Sequence, residues 1–472
     1  MTTTASSWSG LRVVVAGLGT SGEAAARALL RAGATVVVLD AADGEAQRER
    51  SSRLTAQGAQ VVLAATVDLP GCDLVVASPG VRPDDPWLVR AQEHATPVWS
   101  VEELAWRMRP ADAAPWLTVT GTNGKTTTVQ MLRAMLAAGG ERAVAAGNIG
   151  HPLVDAVLAD PPPQVLAVEL SSFQLHFTHS LHAEAAALLN ISEDHLDWHG
   201  GFGEYLADKA RILDGVQRAV VHSVDDPVVA DVVARAELVR GCRLVGFTLQ
   251  APGPDMLGVA DDALVDHAFG AGDEPRVIVR RAELVSGGDH HVADALAAAA
   301  LALAHGVTLP AVAEALRTFT LDAHRGQLVA EVAGVRYVDD SKATNPAAAE
   351  VSLRAHAPAV WIAGGVAKGA HFEGLVRRCA RGLRGAVLLG TDRAVVREAL
   401  WRHAPEVPVI EVDAGETDVM DLVVDAAAGL AAPGDTVLLA PGCASTDQYR
   451  GYAARGDAFA AAVHRRSGGP TT

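Results

Sequence analysis

The sequence predicts an α/β protein of three domains, each a mostly parallel sheet covered by helices. Three observations predict it. Short apolar runs rich in Val, Ala and Leu alternate with helical patterns along the whole chain, as βαβ units require. Two of those runs end in glycine-rich turns that open a helix, at Gly17–Gly22 and at Gly121–Thr126. The chain has 472 residues, too many for one ordinary core, and a Pro/Ala/Asp stretch at Arg109-Pro110 and a fresh start near Leu321 divide it. The expected domains are 1–111, 112–321 and 322–472. The first and third read as Rossmann-like and the central one as P-loop type.

Composition narrows the classes. Hydrophobic residues make up 49% of the chain and the mean hydropathy is +0.18, so apolar surface is plentiful and global disorder is excluded. Aromatics are only 4%, so Ala, Val and Leu must fill the cores. A net charge of −17 argues against nucleic acid or an anionic membrane as the main partner. An anionic ligand would need local Lys, Arg or metal ions to overcome that field. The four cysteines are scattered without a CxxC spacing, which reads as reduced thiols in a cytoplasmic protein. Met1–Ser7 lacks the basic and apolar regions of a signal peptide, and the apolar run 295–304 is too short to span a bilayer.

The first block opens with the strand Leu11–Ala16, the turn Gly17-Leu-Gly19-Thr20-Ser21-Gly22, an Ala-rich helix to Ala32 and the strand Val36–Asp40. Glycines at that spacing with an acid at the next strand end match a dinucleotide fingerprint, so NAD is one reading. The glycines report only close backbone approach to a ligand, and Asp40 at a strand end suits any ribose or base edge, or a cap. A further strand, Asp73–Ala77, ends at Ser78-Pro-Gly80.

The second block begins with the strand Trp116–Thr120 and the loop Gly121-Thr122-Asn123-Gly124-Lys125-Thr126, followed by a helix with Val129, Leu132, Met135 and Leu136 on one side. Backbone N–H groups of such a loop close around phosphate oxygens, with the helix dipole aimed at them. Lys125 would supply a charge to the phosphates and Thr126 a hydroxyl to Mg²⁺. A standard P-loop has glycine where this chain has Val119. A plain glycine turn is the blander reading, and the Lys-Thr pair in strand–loop–helix context outweighs it. Glu169, at the tip of the strand Val165–Val168, stands where a Mg²⁺ ligand belongs beside such a loop; otherwise it caps the next turn. Asn190–His199 follows the strand Ala186–Leu189 and is dense in donors and acceptors; it does not match HExxH, and a hard Mg²⁺ site or a substrate contact suits it better than zinc. Lys209 lies in a helical segment and nothing local singles it out. A strand at Ala219–Val221 follows, then a Gly/Pro/Asp-rich segment, 250–286, that reads as an irregular or antiparallel edge, then an Ala-rich helix from Val292 to Ala304.

The third block shows strands at Val335–Val338, Ala359–Ala363, Ala386–Leu389, Val409–Val412 and Thr436–Leu439, with a last helix over Gln448–Arg465. Asp339-Asp340-Ser341-Lys342-Ala343-Thr344 follows the first of these and suits a ribose or a carboxylate-bearing substrate. His324-Arg325 stands at an apparent hinge, where an arginine can reach phosphate on closure. Ser445 or Thr446 is placed to cap the last helix, and its turn to bind a carboxylate. Satisfied turns are the blander reading of the Asp339–Thr344 stretch and of His324-Arg325, at about even odds.

Taken together these motifs resemble the Mur ligase family, the ATP-dependent amino-acid ligases of peptidoglycan precursor synthesis. Gly121–Thr126 matches the family's ATP loop. Gly147-Asn148-Ile-Gly150, Glu169–Gln174, Asn190–Asp197, Asp340–Asn345 and Cys443–Gln448 look most like the branch that adds D-glutamate to UDP-N-acetylmuramoyl-L-alanine. The resemblance runs through nearly the whole chain in order, and the Asp-Asn-Pro-Arg signature of the diaminopimelate- or lysine-adding branch is missing. Folylpolyglutamate synthase shares the superfamily loop, but the uridine-type first block argues against it. A non-enzymatic NAD-binding regulator is the alternative from another class.

The resemblance implies a cytoplasmic ligase, a monomer, that works on ATP, D-glutamate and the UDP-linked acceptor with two Mg²⁺ sites. It assigns UDP-substrate contacts to Thr20, Ser21, Asp40, Ser78, Asn148, Ser171 and His195. ATP contacts fall to Gly121, Thr122, Asn123, Gly124, Lys125, Thr126, Thr127, His291, Asp294, Arg325 and Asp340; His291 and Asp294 stand where the family usually has asparagines. The metal is assigned to Thr126, Glu169, His195 and Lys209, the last as a carbamate. D-glutamate falls to Lys342, Thr344, Lys368, Ser445, Thr446 and Tyr452, and catalysis to Lys125, His195, Lys209 and Lys342.

Overall fold

The computed structural model describes residues 8–66, 68–270, 272, 274–284, 288–413 and 419–467. The Met1–Ser7 reading and positions 271, 273, 285 and 286 of the edge segment lie outside the described residues. Two compact units emerge: the described residues up to Ile191 together with Trp198–Phe319, and Ser192–Asp197 together with the described residues from Thr320 onward.

Among the described residues twenty strands build three sheets. The first sheet contains β1 (Arg12–Ala16), β2 (Thr35–Leu39), β3 (Gln60–Val62), β4 (Leu74–Ala77) and β5 (Val98–Ser100), in the order β3-β2-β1-β4-β5 and all parallel. Val-rich β1 and β4 are apolar on both faces because helices cover both. The short outer strands β3 and β5 carry little apolar signal, and sequence reasoning did not find them.

The central sheet holds β6 (Trp116–Thr120), β7 (Ala143–Gly147), β8 (Val165–Glu169), β9 (Ala185–Leu188), β10 (Ala219–Ser223), β11 (Arg243–Phe247), β12 (Met256–Ala260), β13 (Ala263–Asp266) and β14 (Arg276–Arg280). Their order is β14-β13-β12-β11-β10-β9-β6-β8-β7. β13 runs antiparallel to both neighbours, so the Gly/Pro-rich segment does form the antiparallel edge expected of it. Chain order reverses around β6, whose neighbours are β8 and β9; ligands of open α/β sheets bind at such a switch point, outside the strands' carboxyl ends. The Ala-rich helix, Asp289–His305, packs its buried alanines on β9, β10 and the helix Lys125–Ala138. No helix among the described residues is long and apolar enough to cross a membrane.

The second unit holds β15 (Gln327–Val332), β16 (Val335–Asp339), β17 (Ala359–Gly364), β18 (Leu383–Leu389), β19 (Val409–Glu411) and β20 (Thr436–Leu439). The order is β15-β16-β20-β17-β18-β19, parallel except for the β15–β16 hairpin. Trp361, Leu438 and Leu388 centre one core and Ile362, Leu439 and Val387 the other, alternate residues pointing to opposite faces of the sheet.

The stretch 109–115, read above as a linker, separates two blocks that share one core. Trp106 and Trp116 meet edge to face across it at 4.9 Å, and Val101, Leu104 and Ala105 join Leu153, Val154 and Val157. A buried acid lies in this contact. Glu102, 2% exposed, takes Gln174 Nε2 on Oε1 at 2.6 Å, while its Oε2 has no partner. Burial raises its pKa to about 7, against the weaker lowering by its own backbone and Gln174. Because the folded state holds its proton longer than the unfolded state does, Glu102 lowers stability as pH rises from about 4.5 to 7. The loss above pH 7 amounts to about 3 kcal/mol. Glu102→Gln should therefore stabilise the protein more at pH 8 than at pH 5, by a difference of roughly 2–3 kcal/mol in urea unfolding. Equal effects at both pH values would contradict this.

Candidate functional site

In the first sheet, Gly17, Asp40 and Ser78 follow the carboxyl ends of the adjacent strands β1, β2 and β4. Ser78 Oγ donates to Gly17 O at 2.8 Å. A Cβ on Gly22 would lie 2.0 Å from Gly17 O and 2.6 Å from Ser78 Oγ, so only glycine permits this closure. Asp40 accepts Leu18 N on one oxygen at 2.5 Å and Ala42 N on the other at 2.7 Å. Its first task is to close the turn, which weakens the fingerprint reading in which it holds a ribose. Thr20 and Ser21 open the helix Thr20–Arg31 and are exposed or half-exposed at its N-terminus.

In the central sheet the loop after β6 is held from behind by its neighbours. Asn190, just past β9, accepts Asn123 N on Oδ1 at 2.8 Å and donates Nδ2 to Asn123 O at 3.0 Å. Its own carbonyl takes Thr122 N. Thr122 Oγ1 and Tyr205 Oη are 2.8 Å apart. Gly124 has φ +83 at the helix N-cap, and a Cβ there would meet Asp294 Oδ1 at 2.2 Å. Asp294 thus lies against the loop, where it also takes Thr128 Oγ1 at 3.3 Å. His291 is buried one turn earlier on the same helix, its ring 3.9 Å from that of His290. Thr126 and Thr127 occupy the first turn of Lys125–Ala138, where N–H groups face outward.

Two ammonium groups converge on one carbonyl. Lys125 Nζ donates to Gly121 O at 2.8 Å and Thr122 O at 2.9 Å, and Lys209 Nζ donates to Gly121 O at 2.8 Å. Lys209 is 2% exposed and its ammonium lies 4.9 Å from the Tyr205 ring centre.

Glu169 ends β8 in register with Val119 of β6. It is 2% exposed; Asn148 Nδ2 donates to Oε1 at 2.8 Å, and Oε2 has no partner. A buried carboxylate oxygen left without a donor suits a hard cation such as Mg²⁺. Ser171 lies two residues on and forms a capping box with Gln174, which in turn reaches Glu102.

Sequence reasoning missed the network beside Lys209. His176 Nδ1 and His199 Nδ1 each lie 2.8 Å from Asp208 Oδ2, and His199 Nε2 lies 2.9 Å from Ser172 Oγ. Burial alone would raise the Asp208 carboxyl; hydrogen bonds from both histidines outweigh it and hold the pKa at about 2. The network fastens the helix carrying Lys209 to the turn after Glu169. The residues are 176, 199 and 208 in the chain, and no local spacing links them. Asn190 and His199 were visible only as members of the polar stretch 190–199, and Tyr205 and Asp208 only as part of the helical segment around Lys209.

In the second unit the candidates follow β16, β20 and β17, three adjacent strands. Asp339 accepts Ser341 N at 2.9 Å and faces His324 Nδ1 at 2.7 Å. Asp340 is pushed up to about 6, chiefly by burial, with Arg325 among the groups that counter it. Lys342 Nζ lies 4.0 Å from the Tyr452 ring centre. Thr344 is half-buried, Lys368 takes a left-handed backbone at φ +53, Ser445 is buried and Thr446 exposed. Neither Ser445 nor Thr446 caps the last helix, which begins at Tyr452; Ser445 O instead takes Gln448 N and Tyr449 N in a turn. His195 belongs to this unit, whereas Thr126, Glu169 and Lys209 belong to the first. It also has a left-handed backbone, φ +53, and its Nε2 lies 3.6 Å from Asp194 Oδ2.

Comparison with known proteins follows the same division. Family models match as the Mur ligase MurD-like N-terminal domain over residues 11–100, the Mur ligase middle domain over 119–302, and the Mur ligase glutamate ligase domain over 324–443. The UDP-N-acetylmuramoylalanine–D-glutamate ligase of Streptomyces avermitilis is 53% identical, covering 97% of this chain and 98% of its own. The ligase of that name from Thermobifida fusca is 50% identical, covering 97% and 99%. Among solved structures, UDP-N-acetylmuramate-alanine ligase MurC of Thermotoga maritima aligns with a TM-score of 0.58 at 17% identity, covering 97% of this chain and 99% of that one. The MurF ligase of Thermotoga maritima in complex with ADP aligns at 0.58 and 17%, covering 92% and 96%. With all three domains matched in order and relatives similar over almost their full length, the chain belongs to the Mur ligase family.

Proposed function

We propose that this chain couples ATP hydrolysis to amide formation between UDP-N-acetylmuramoyl-L-alanine and D-glutamate, in peptidoglycan precursor synthesis. The observation that carries the chemistry is the loop Gly121–Thr126 with Lys125 and Lys209 on one carbonyl and Glu169 ending the neighbouring strand. The choice of substrates rests on the relatives' shared name at about half identity over nearly the whole chain. The division of labour follows 1–111 for the UDP acceptor, 112–321 for ATP and 322–472 for D-glutamate.

The acceptor carboxylate attacks the γ-phosphorus; the bond to the β–γ bridging oxygen breaks and ADP leaves with the electron pair. The amine of D-glutamate then attacks the acyl carbon, sheds a proton, and phosphate leaves. In the first step two anions must meet. Lys125 lies at the phosphate loop and stabilises the charge that builds on the transferring group. Loop N–H groups of Gly121–Thr126, with Asp294 and His291 behind them, hold the nucleotide; Arg325 and Asp340 are assigned to ATP by the family resemblance alone. Thr20, Ser21, Asp40, Ser78, Asn148 and Ser171 hold the UDP substrate. Lys342, Thr344, Lys368, Ser445, Thr446 and Tyr452 surround D-glutamate.

Glu169, Thr126 and a carbamylated Lys209 would hold Mg²⁺, which would supply electrostatic shielding of the phosphates; His195 is assigned to the metal by the family resemblance alone. Carbamylation turns one of two neighbouring ammonium groups into an anion that Lys125 compensates.

Three outcomes are expected. Purified protein with Mg-ATP, the UDP acceptor and bicarbonate should release phosphate on addition of D-glutamate and stay silent with L-glutamate; equal release with both would remove the assigned stereospecificity. Lys125→Ala should lower kcat by a factor on the order of 10²–10³ or more, with UDP-acceptor affinity by calorimetry close to wild type. Full activity in that variant would end the ATP-loop assignment. With ¹³C-bicarbonate, NMR should show a carbamate resonance that Lys209→Arg lacks; the same resonance in the variant would place it on another lysine.

A further inference from the structure

The helix Tyr452–Ser467 buries Arg455 to 1% exposure beneath the three loops proposed to receive the amino acid. Its Nε donates to Ser341 Oγ at 3.0 Å and its Nη2 to Ser341 O at 2.9 Å. Its Nη1 donates to Cys443 O at 3.1 Å and, at 3.5 Å, to Gly364 O. These direct acceptors are all neutral; Asp447 and Asp339 act on the charge without a hydrogen bond to it. Ser341 directly precedes Lys342, Gly364 opens the turn to Lys368, and Cys443 lies two residues before Ser445. Ser341 Oγ also donates to Tyr452 O at 2.7 Å, and the Tyr452 ring faces Lys342. One guanidinium thus touches every loop that carries a D-glutamate candidate.

Burying a cation against neutral acceptors is costly, and a well-packed apolar side chain would fill the same volume with less penalty. Burial lowers the Arg455 pKa only to about 10, so the charge persists at neutral pH. Each of the three loops follows a parallel strand, and Ala343, Ala367 and Cys443 pack them onto the core. The planar fork of donors fixes their mutual register, and its charge favours an anion above them.

We propose that Arg455 is a positioning residue of the amino-acid site, aligning the loops of Lys342, Lys368 and Ser445 and biasing them toward an acidic amino acid. It touches no substrate itself. The inference rests on the proposed D-glutamate site and deepens it.

The test is steady-state kinetics on the full-length enzyme with Arg455→Met, Arg455→Lys and Ser341→Ala, alongside thermal unfolding. Arg455→Met should raise KM for D-glutamate roughly tenfold or more, while KM for ATP and for the UDP acceptor stay within about twofold. Arg455→Lys keeps the charge without the fork and should fall between wild type and Arg455→Met. Ser341→Ala removes one acceptor while leaving Arg455 in place, and should raise the same KM by a smaller factor. It decides the matter if Arg455→Met fails to fold. Unchanged KM for D-glutamate in the folded variants, or parallel changes in all three KM values, would overturn the inference while leaving the ligase reading intact. A wild-type enzyme without D-glutamate-dependent phosphate release would overturn the ligase reading, and this inference with it.

Discussion

A parallel sheet buried on both faces can offer polar chemistry only at the ends of its strands, and the arrangement of this chain follows from that constraint. Gly17, Asp40 and Ser78 follow three adjacent strands of the first sheet. Gly121, Glu169 and Asn190 stand at the carboxyl ends of β6, β8 and β9, and Asp340, Gly365 and Pro441 at those of β16, β17 and β20. In each case the strands supply a fixed spacing and the loops supply the groups. The strand interiors are dominated by Val, Ala and Leu, with a few aromatic side chains and buried threonines among them.

Loops at such an edge lack a ladder to hold them, and the structure answers with polar side chains that bind backbone. Asp40 takes two amide N–H groups of its turn, Asn190 grips Asn123 from both sides, and Arg455 reaches three carbonyls. These residues share one physical property: each offers several hydrogen-bonding atoms in a rigid plane. That makes them better at fixing two chain segments than a hydroxyl would be. They organise groups that reach a ligand, and their own reach toward it is secondary.

Legibility in the sequence follows the range of the interaction. Most inner strands of the three sheets were readable because a strand buried on both faces is a local apolar run; β11, whose first two residues are exposed, was missed. The loop Gly121–Thr126 was readable because glycine, lysine and hydroxyl stand side by side. The edge strands β3, β5, β7 and β15 were not, being largely half-exposed or mixed in composition, whereas the edge strand β19 was read from its Val409–Val412 run. The last helix was set to start four residues early because Gln448 and Tyr449 look helical, whereas their N–H groups bond Ser445 O in a turn. The pairs Lys125–Lys209 on Gly121, Asp208 with two histidines, and Arg455 with three loops were hidden, because residues far apart in the chain meet only after folding. For Lys209 and the amino-acid site, family resemblance supplied what spacing could not.

Three buried carboxylates show how partner number decides what an acid does. Asp208 receives two ring nitrogens on one oxygen and stays ionised, a fixed anchor beside Lys209. Glu102 and Glu169 share a different pattern: each has one side-chain amide on Oε1 and an Oε2 with no donor. A lone lone-pair donor of this kind, sealed from water, is unstable as it stands and demands something positive. Glu102 lies within the packed contact between the helix Val101–Met108 and Gln174, where only a proton is small enough to arrive, and its pKa rises to about 7 accordingly. Glu169 lies at the carboxyl end of β8, in register with the strand that leads into the loop Gly121–Thr126. The same local pattern is a stability cost at Glu102, whereas at Glu169, at the carboxyl edge of the sheet, it is what supports the proposed cation site.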